Sequence, residues 1–179
     1  MSKKAASTAK EMFDIDVFTG ELDQCPFEKN SFDFINMGHV IEHFPDPIAA
    51  LKFVGSLLKP SGVVYIETPN ILGTVNAREL SVWYPTETPR HLFLFSPETL
   101  ADLIQRSGLF VDEITCTYTD FAEWEALYDF EESLGRLSPN REKLRSEFKK
   151  RILFKRLRNW LSYKLDSSRG EIIRCWVSK

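Results

Sequence analysis

Apolar positions in this chain come in short dense runs separated by stretches of helical period. Phe32 to Met37 is the clearest run, and it predicts a strand buried on both faces, as parallel sheets require. It ends in a polar knot, Gly38-His39-Val40-Ile41-Glu42-His43, after which Asp46-Pro47 opens a helix whose inner face carries Leu51, Val54 and Leu58. Lys59-Pro60-Ser61-Gly62 then turns the chain back into a second strand, Val63 to Glu67, which also runs into polar residues, Thr68-Pro69-Asn70. The pattern is strand, crossover helix, parallel strand. Ligands of open α/β sheets bind beyond the carboxyl ends of such strands, so chemistry is sought at His39 to His43 and at Asn70.

The flanking pattern is less regular. Ser2 to Met12 is helix-prone, Ile15 to Phe18 is a short strand candidate, and Gly20 to Lys29 reads as a loop. Gly73 to Pro89 is a long aromatic connection holding Trp83 and Tyr84, of a length that in compact domains is usually functional or disordered. Ser96-Pro97-Glu98 starts a helix with Leu100, Leu103 and Ile104 inward and Gly108 as its stop. Leu109 to Tyr118 predicts a strand. An acidic helix over 121–134 and a basic one over 142–165 follow, the latter with Phe148, Ile152, Leu157, Trp160, Leu161 and Leu165 as its apolar members. Glu171 to Val177 is the last strand.

Composition narrows the class. A chain of 179 residues supports one domain with a sizeable core. A net charge of -3 gives no general attraction to nucleic acid. The three cysteines, Cys25, Cys116 and Cys175, lie far apart, as suits reduced thiols in a cytoplasmic protein. No stretch approaches the roughly 20 apolar residues of a membrane span, and the Met1 end has no signal-peptide pattern.

Five segments in order carry a family resemblance. They are Gly20-Glu21-Leu22-Asp23-Gln24-Cys25-Pro26-Phe27 with Ser31-Phe32-Asp33, then His39 to His43 with Asp46-Pro47, then Leu57-Leu58-Lys59-Pro60-Ser61-Gly62, then Pro89-Arg90-His91-Leu92, then Phe95-Ser96-Pro97 with Leu100. Together they resemble the later two-thirds of a class I S-adenosylmethionine-dependent methyltransferase of the small-molecule branch. The resemblance implies an α/β fold: a Rossmann-like sheet with helices on both faces, an antiparallel last strand and a helical insertion over 120–166, in a single domain over 1–179. It also implies a glycine-rich loop and a ribose-binding acid that these residues do not supply. The expectation is therefore a domain incomplete at its N-terminus, with upstream coding sequence for an apolar strand ending in a Gly-x-Gly-like loop.

What the resemblance implies for the site is specific. S-adenosylmethionine is the cofactor, with Glu21 accepting from the adenine amino group, Leu22 offering a backbone N–H to the ring, and Asn36, Met37, Gly38 and His39 lining the methionine end. His91 is the candidate general base or acceptor-orienting group, and His39 is the second catalytic candidate. Asn70, Trp83, Tyr84 and Arg90 are substrate-binding candidates. The acceptor is a small molecule methylated at oxygen, of a sugar, polyketide-like or quinone-like kind. Weak membrane-surface contact through Lys149–Arg158 and a homo-oligomer stay open as partners.

Three other readings stand beside this one. A non-catalytic binding module with the same fold is one. His39-Val40-Ile41-Glu42-His43 also matches H-x-x-E-H, the inverted zinc-peptidase motif, which needs both histidines on one helical face; Pro45 and Pro47 leave room for one or two turns at most. A cation held by Glu42, His39 or His43 is the last, and the expectation here is a site without metal ligands.

Overall fold

The computed structural model describes residues 3–73, 89–118 and 141–179. Its frame is the crossover read from the sequence: β1 (Phe32–Gly38), α2 (Pro47–Leu57) and β2 (Leu58–Pro69). β1 and β2 pair in parallel, Phe34 opposite Val63 and Gly38 opposite Glu67. Before them comes α1 (Lys3–Phe13); after them come α3 (Pro97–Arg106), β3 (Phe110–Thr117), α4 (Arg141–Leu165) and β4 (Ile172–Ser178). The sheet order is β1-β2-β4-β3, and β4 runs antiparallel to both of its neighbours.

Local chemistry explains the boundaries. Asp46 caps α2 by accepting from the Ala49 amide at 2.9 Å, and Pro47 occupies the first turn, where its missing N–H costs nothing. Ser96 and Thr99 form a reciprocal capping box on α3. Gly108 ends that helix at φ +84°, a left-handed conformation open to glycine without strain. The Lys59-Pro60-Ser61-Gly62 turn sits inside β2 as an irregularity: Phe32 pairs with Leu58 and Phe34 with Val63, so the extra residues bulge out between the two rungs. Gly62 is pressed against the Phe32 carbonyl, where a Cβ would come within 2.7 Å of the oxygen.

One apolar layer holds the sheet to α2 and α3. Met37, Val64, Ile66, Ile173, Cys175 and Val177 from the strands meet Leu51, Val54, Leu100 and Ile104 from the helices. Two expectations are corrected. β1 is buried on one face only: Met37 is covered, while Phe34 is 49% exposed on the opposite face near Tyr65 and Trp176. The strand stands at the sheet edge and its second face has no helix over it among the described residues. Ile15 to Phe18 is not a strand; Ile15 and Phe18 are exposed, and among the described residues no strand pairs with them.

The basic helix forms as expected, but its apolar residues do not face the core. Lys155 and Asn159 are buried, whereas Leu153, Phe154, Leu157, Trp160, Leu161 and Leu165 are exposed. The helix is fastened near its end, where the Tyr163 hydroxyl donates to the Cys116 carbonyl at 3.4 Å and its ring meets that of Tyr118. On the side of the helix that is covered lie the polar Lys155 and Asn159. The acidic helix expected over 121–134 lies outside the described residues. No helix among those described is long and apolar enough to cross a membrane.

Candidate functional site

The chain leaves β1 through His39, whose φ of +52° is unusual for a residue with a side chain. Three contacts hold it there. The His39 amide donates to the Glu67 carbonyl at 2.7 Å, extending the parallel ladder, and its ring nitrogens point to two acids. Nδ1 lies 3.4 Å from Glu42 Oε1 and Nε2 lies 3.5 Å from Glu67 Oε1. Ile41–His43 then makes a single three-residue 3-10 turn that buries Ile41 and Glu42. His39 and His43 therefore do not share a helical face, and the zinc-peptidase reading of H-x-x-E-H fails on geometry.

Glu42 is the centre of the arrangement. It is wholly buried, and its Oε2 accepts from the Thr68 hydroxyl at 3.0 Å. Its Oε1 accepts no hydrogen bond and faces His39 at 3.4 Å and His91 Nε2 at 4.0 Å. Burial pushes its carboxyl up, but His39, its own backbone amide and Thr68 outweigh that and hold it below the ordinary carboxylate value. The contact with Glu42 raises the His39 imidazole above its usual range, with Glu67 adding to the effect against the desolvation. Glu67 is held low although burial opposes it, because the Tyr65 hydroxyl and the Arg174 guanidinium, each at 2.8 Å, favour its charged form.

The segment after the aromatic connection closes over this knot. The amides of Leu92 and Phe93 both donate to the Glu42 carbonyl, at 2.9 and 3.2 Å. The rings of His43 and His91 lie 4.7 Å apart, and His43 Nδ1 is 2.9 Å from the Arg90 carbonyl. A carbonyl only accepts, so that nitrogen carries the proton. One donor atom from each of Glu42, His43 and His91 falls within 4.8 Å of the other two.

The remaining expected residues divide. Glu21 and Leu22 line an open cleft of about 450 Å³ with Phe44, Asp46, Ala49 and Phe53. Asn36 and Gly38 are exposed at the end of β1 while Met37 is core. Asn70 is fully buried and its carboxamide is used inside the fold: Nδ2 donates to the carbonyls of Ser168 and Gly170 at 2.7 and 2.6 Å, and Oδ1 accepts from Leu72 at 3.0 Å. It clasps the end of β2 to the turn before β4. Arg90 enters the site through its carbonyl. Trp83 and Tyr84 lie outside the described residues. The sequence reading overlooked Glu67, Thr68 and Arg174; Glu67-Thr68 at the end of a buried strand was the signal for the first two.

The comparisons with known proteins bear on the family and the fold. A family model described as a methyltransferase domain matches residues 4–114, more than half of the chain. The chain is 29% identical over 94 residues to a ubiquinone biosynthesis O-methyltransferase of Xanthomonas euvesicatoria pv. vesicatoria, a match covering 49% of this chain and 39% of that protein. It is 38% identical over 60 residues to a demethylmenaquinone methyltransferase of Staphylococcus saprophyticus, covering 33% and 26%. It thus spans well under half the length of these relatives. Among solved structures, an S-adenosylmethionine-dependent methyltransferase from Archaeoglobus fulgidus aligns with a TM-score of 0.58 over 99% of this chain and 73% of that one, at 16% identity. Another from Thermotoga maritima aligns with a TM-score of 0.55 over 65% and 56%, at 24% identity. These structural likenesses speak for the Rossmann-like fold, and the matched stretch covers β1, α2, β2 and the whole polar knot between them: the chain belongs to the methyltransferase domain family.

Proposed function

We propose that the protein transfers a methyl group from S-adenosylmethionine to a hydroxyl oxygen of a small, quinol-like acceptor. The observation that carries this reading is the buried Glu42 with three imidazoles around it, set at the carboxyl ends of two parallel strands beside the Glu21–Leu22 cleft. The names of the relatives support oxygen and a quinone-type acceptor. The residues of the cleft fit an adenosine: Leu22, Ala49 and Phe53 offer apolar walls and Glu21 an acceptor for an amino group. When bound, the cofactor supplies a methyl group already activated on a sulfonium.

The side chains then have little covalent work, and alignment dominates. Asn36 and Gly38 sit where the methionine end would pass, and His39 borders it. His91, 7% exposed at its side chain and held over Glu42, is the group to orient an acceptor hydroxyl or receive its proton. His39, between two acids, is better suited to staying charged and holding them in place. Three unpaired thiols favour a reducing compartment, and we place the protein in the cytoplasm.

Calorimetric titration with S-adenosylhomocysteine is the test, paired with transfer of a labelled methyl group to catechol. Micromolar binding that Glu21→Ala weakens, with label recovered on the catechol oxygen, supports the reading. No binding and no transfer overturn it and favour a binding module built on the same fold.

A further inference from the structure

Resting on that reading of the strand ends, we infer that Glu67 is a positioning residue for methyl transfer. Braced by Tyr65 and Arg174, it holds His39 as the cation paired with Glu42, which leaves His91 as the imidazole that receives the acceptor's proton. Three observations converge on it. The first is where Glu67 stands. It lies opposite Gly38 of β1 and opposite Arg174 of β4, so its rung joins three strands at the border of the polar knot. Its carbonyl accepts from the His39 amide at 2.7 Å, which sets the imidazole beside its own carboxylate.

The second is how the Glu67 carboxylate is shared out. Oε2 accepts from the Tyr65 hydroxyl and from Arg174 Nε–H, each at 2.8 Å, while Oε1 faces His39 Nε2 at 3.5 Å. Tyr65 precedes Glu67 by two residues and so shares its face of the sheet, and Arg174 is its cross-strand neighbour. Two donors on one oxygen fix the group and favour its charged form.

The third is the His39 ring. A neutral imidazole has one N–H and one lone pair, so one of its nitrogens would turn a lone pair toward an acid. Only the imidazolium offers a proton to Glu42 and Glu67 together. Among the described residues, the charged groups facing His39 are Glu42 from the turn that follows it, Glu67 from β2 and, behind Glu67, Arg174 from β4. His91 lies beyond Glu42, 4.0 Å from the same Oε1.

One carboxylate oxygen of Glu42 thus meets two imidazoles, and the nearer one, flanked by a second acid, takes the charge. In the transfer the acceptor oxygen bonds the methyl carbon, the carbon–sulfur bond breaks with its electron pair going to sulfur, and the hydroxyl proton passes to His91. The competing role for Glu67 is a strut across three strands. Glu67→Gln separates the two, because the amide keeps an oxygen for Tyr65 and Arg174 and loses the charge that faces His39.

The test follows the imidazole signals of the whole chain by NMR across pH, without methyl donor or acceptor, using His39→Gln to assign His39. The His39 midpoint is expected to fall in Glu67→Gln and to fall less in Glu67→Asp, with thermal unfolding of Glu67→Gln close to that of the wild type. Labelled methyl transfer to catechol gives the second readout. Glu67→Gln should lower kcat at neutral pH by roughly 10-fold, a part of the roughly 10²–10⁴ that a proton-transfer group contributes. The acid limb of kcat should move to higher pH, KM for catechol should change little, and Glu67→Asp should recover most of the loss. An unmoved His39 midpoint in Glu67→Gln, or an unmoved acid limb, overturns the inference and leaves Glu67 a strut. The NMR titration needs no methyl donor, so it can fail while methyl transfer succeeds; a wild-type chain that transfers no methyl group overturns the function instead.

Discussion

Two regions of this molecule place their side chains in opposite ways. At the ends of β1 and β2 three polar side chains go inward: Glu42, Thr68 and Asn70 are completely buried. Along α4 the apolar groups go outward, with Leu153 and Phe154 70% and 69% exposed while Lys155 and Asn159 are buried. Burial of polar atoms is tolerated where partners are in place. The first region shows those partners in detail, from the Thr68 hydroxyl on Glu42 to the two carbonyls on Asn70. The second shows a stripe of exposed apolar side chains, Leu153, Phe154, Leu157, Trp160, Leu161 and Leu165, along one helix. Inward polarity is held by specific hydrogen-bond partners; outward apolarity along α4 is left to solvent.

The sharpest way to break this contrast is to shorten the same residue type under the strand ends and on α4. Leu51 is fully buried between α2 and the sheet. Leu51→Ala removes packed atoms and leaves a cavity, and it should lower unfolding free energy by about 2–5 kcal/mol in urea titration. A loss below about 1 kcal/mol would show that the layer joining α2 to the sheet is loosely packed.

Asn70→Ala comes next. It leaves two carbonyls and the Leu72 amide without the partners they now have. Each group left unsatisfied in the interior costs about 1–3 kcal/mol, with some recovered by water. Asn70→Asp should fare no better, since a carboxylate would face the Ser168 and Gly170 carbonyls. Thermal unfolding of the two variants checks this; full stability in Asn70→Asp would show that the clasp is not what holds the β4 turn.

Much of the first region was legible in the chain, and much of the second was not, for a physical reason. The crossover from Phe32 to Asn70 has strand periodicity, a proline-started helix and a glycine turn that all agree, so each local preference supports the same topology. His39, Glu42, His43 and His91 could each be singled out, but their meeting at Oε1 depends on how the 89–95 segment folds back, which no spacing announces. Asn70 was marked as a polar residue at a strand end; whether it faces ligand or backbone is a matter of register. Ile15 to Phe18 had strand propensity and no neighbour to pair with. For α4 the helical period reveals that an apolar face exists, yet nothing in a periodic pattern says which way the face points.

A smaller effect tests the local rules themselves. Ser96 accepts from the Thr99 amide at 3.2 Å while its own amide donates to the Thr99 hydroxyl at 2.8 Å. Ser96→Ala should cost about 1 kcal/mol by urea titration, placing it between the buried clasp and the exposed helix. A cost near zero would mean that Pro97 and the packing of Leu100 and Ile104 hold α3 without the cap.

The smallest expected effect decides what α4 is for. Leu157 is 54% exposed, with Phe154 and Leu161 beside it on the same face. Truncating a side chain that water already reaches removes little buried area, so Leu157→Ala should change unfolding free energy by no more than about 0.5 kcal/mol. The same residue type at Leu51 is expected to matter several-fold more, which is the contrast between the regions put as a ratio. If Leu157→Ala instead costs as much as a core truncation, then the stripe is covered in solution, and the outward face of α4 is an interior surface of the folded protein. If the cost is small but the variant becomes more soluble at high concentration, the stripe is an exposed contact surface, on a helix that the Tyr163 hydroxyl joins to β3 at the Cys116 carbonyl.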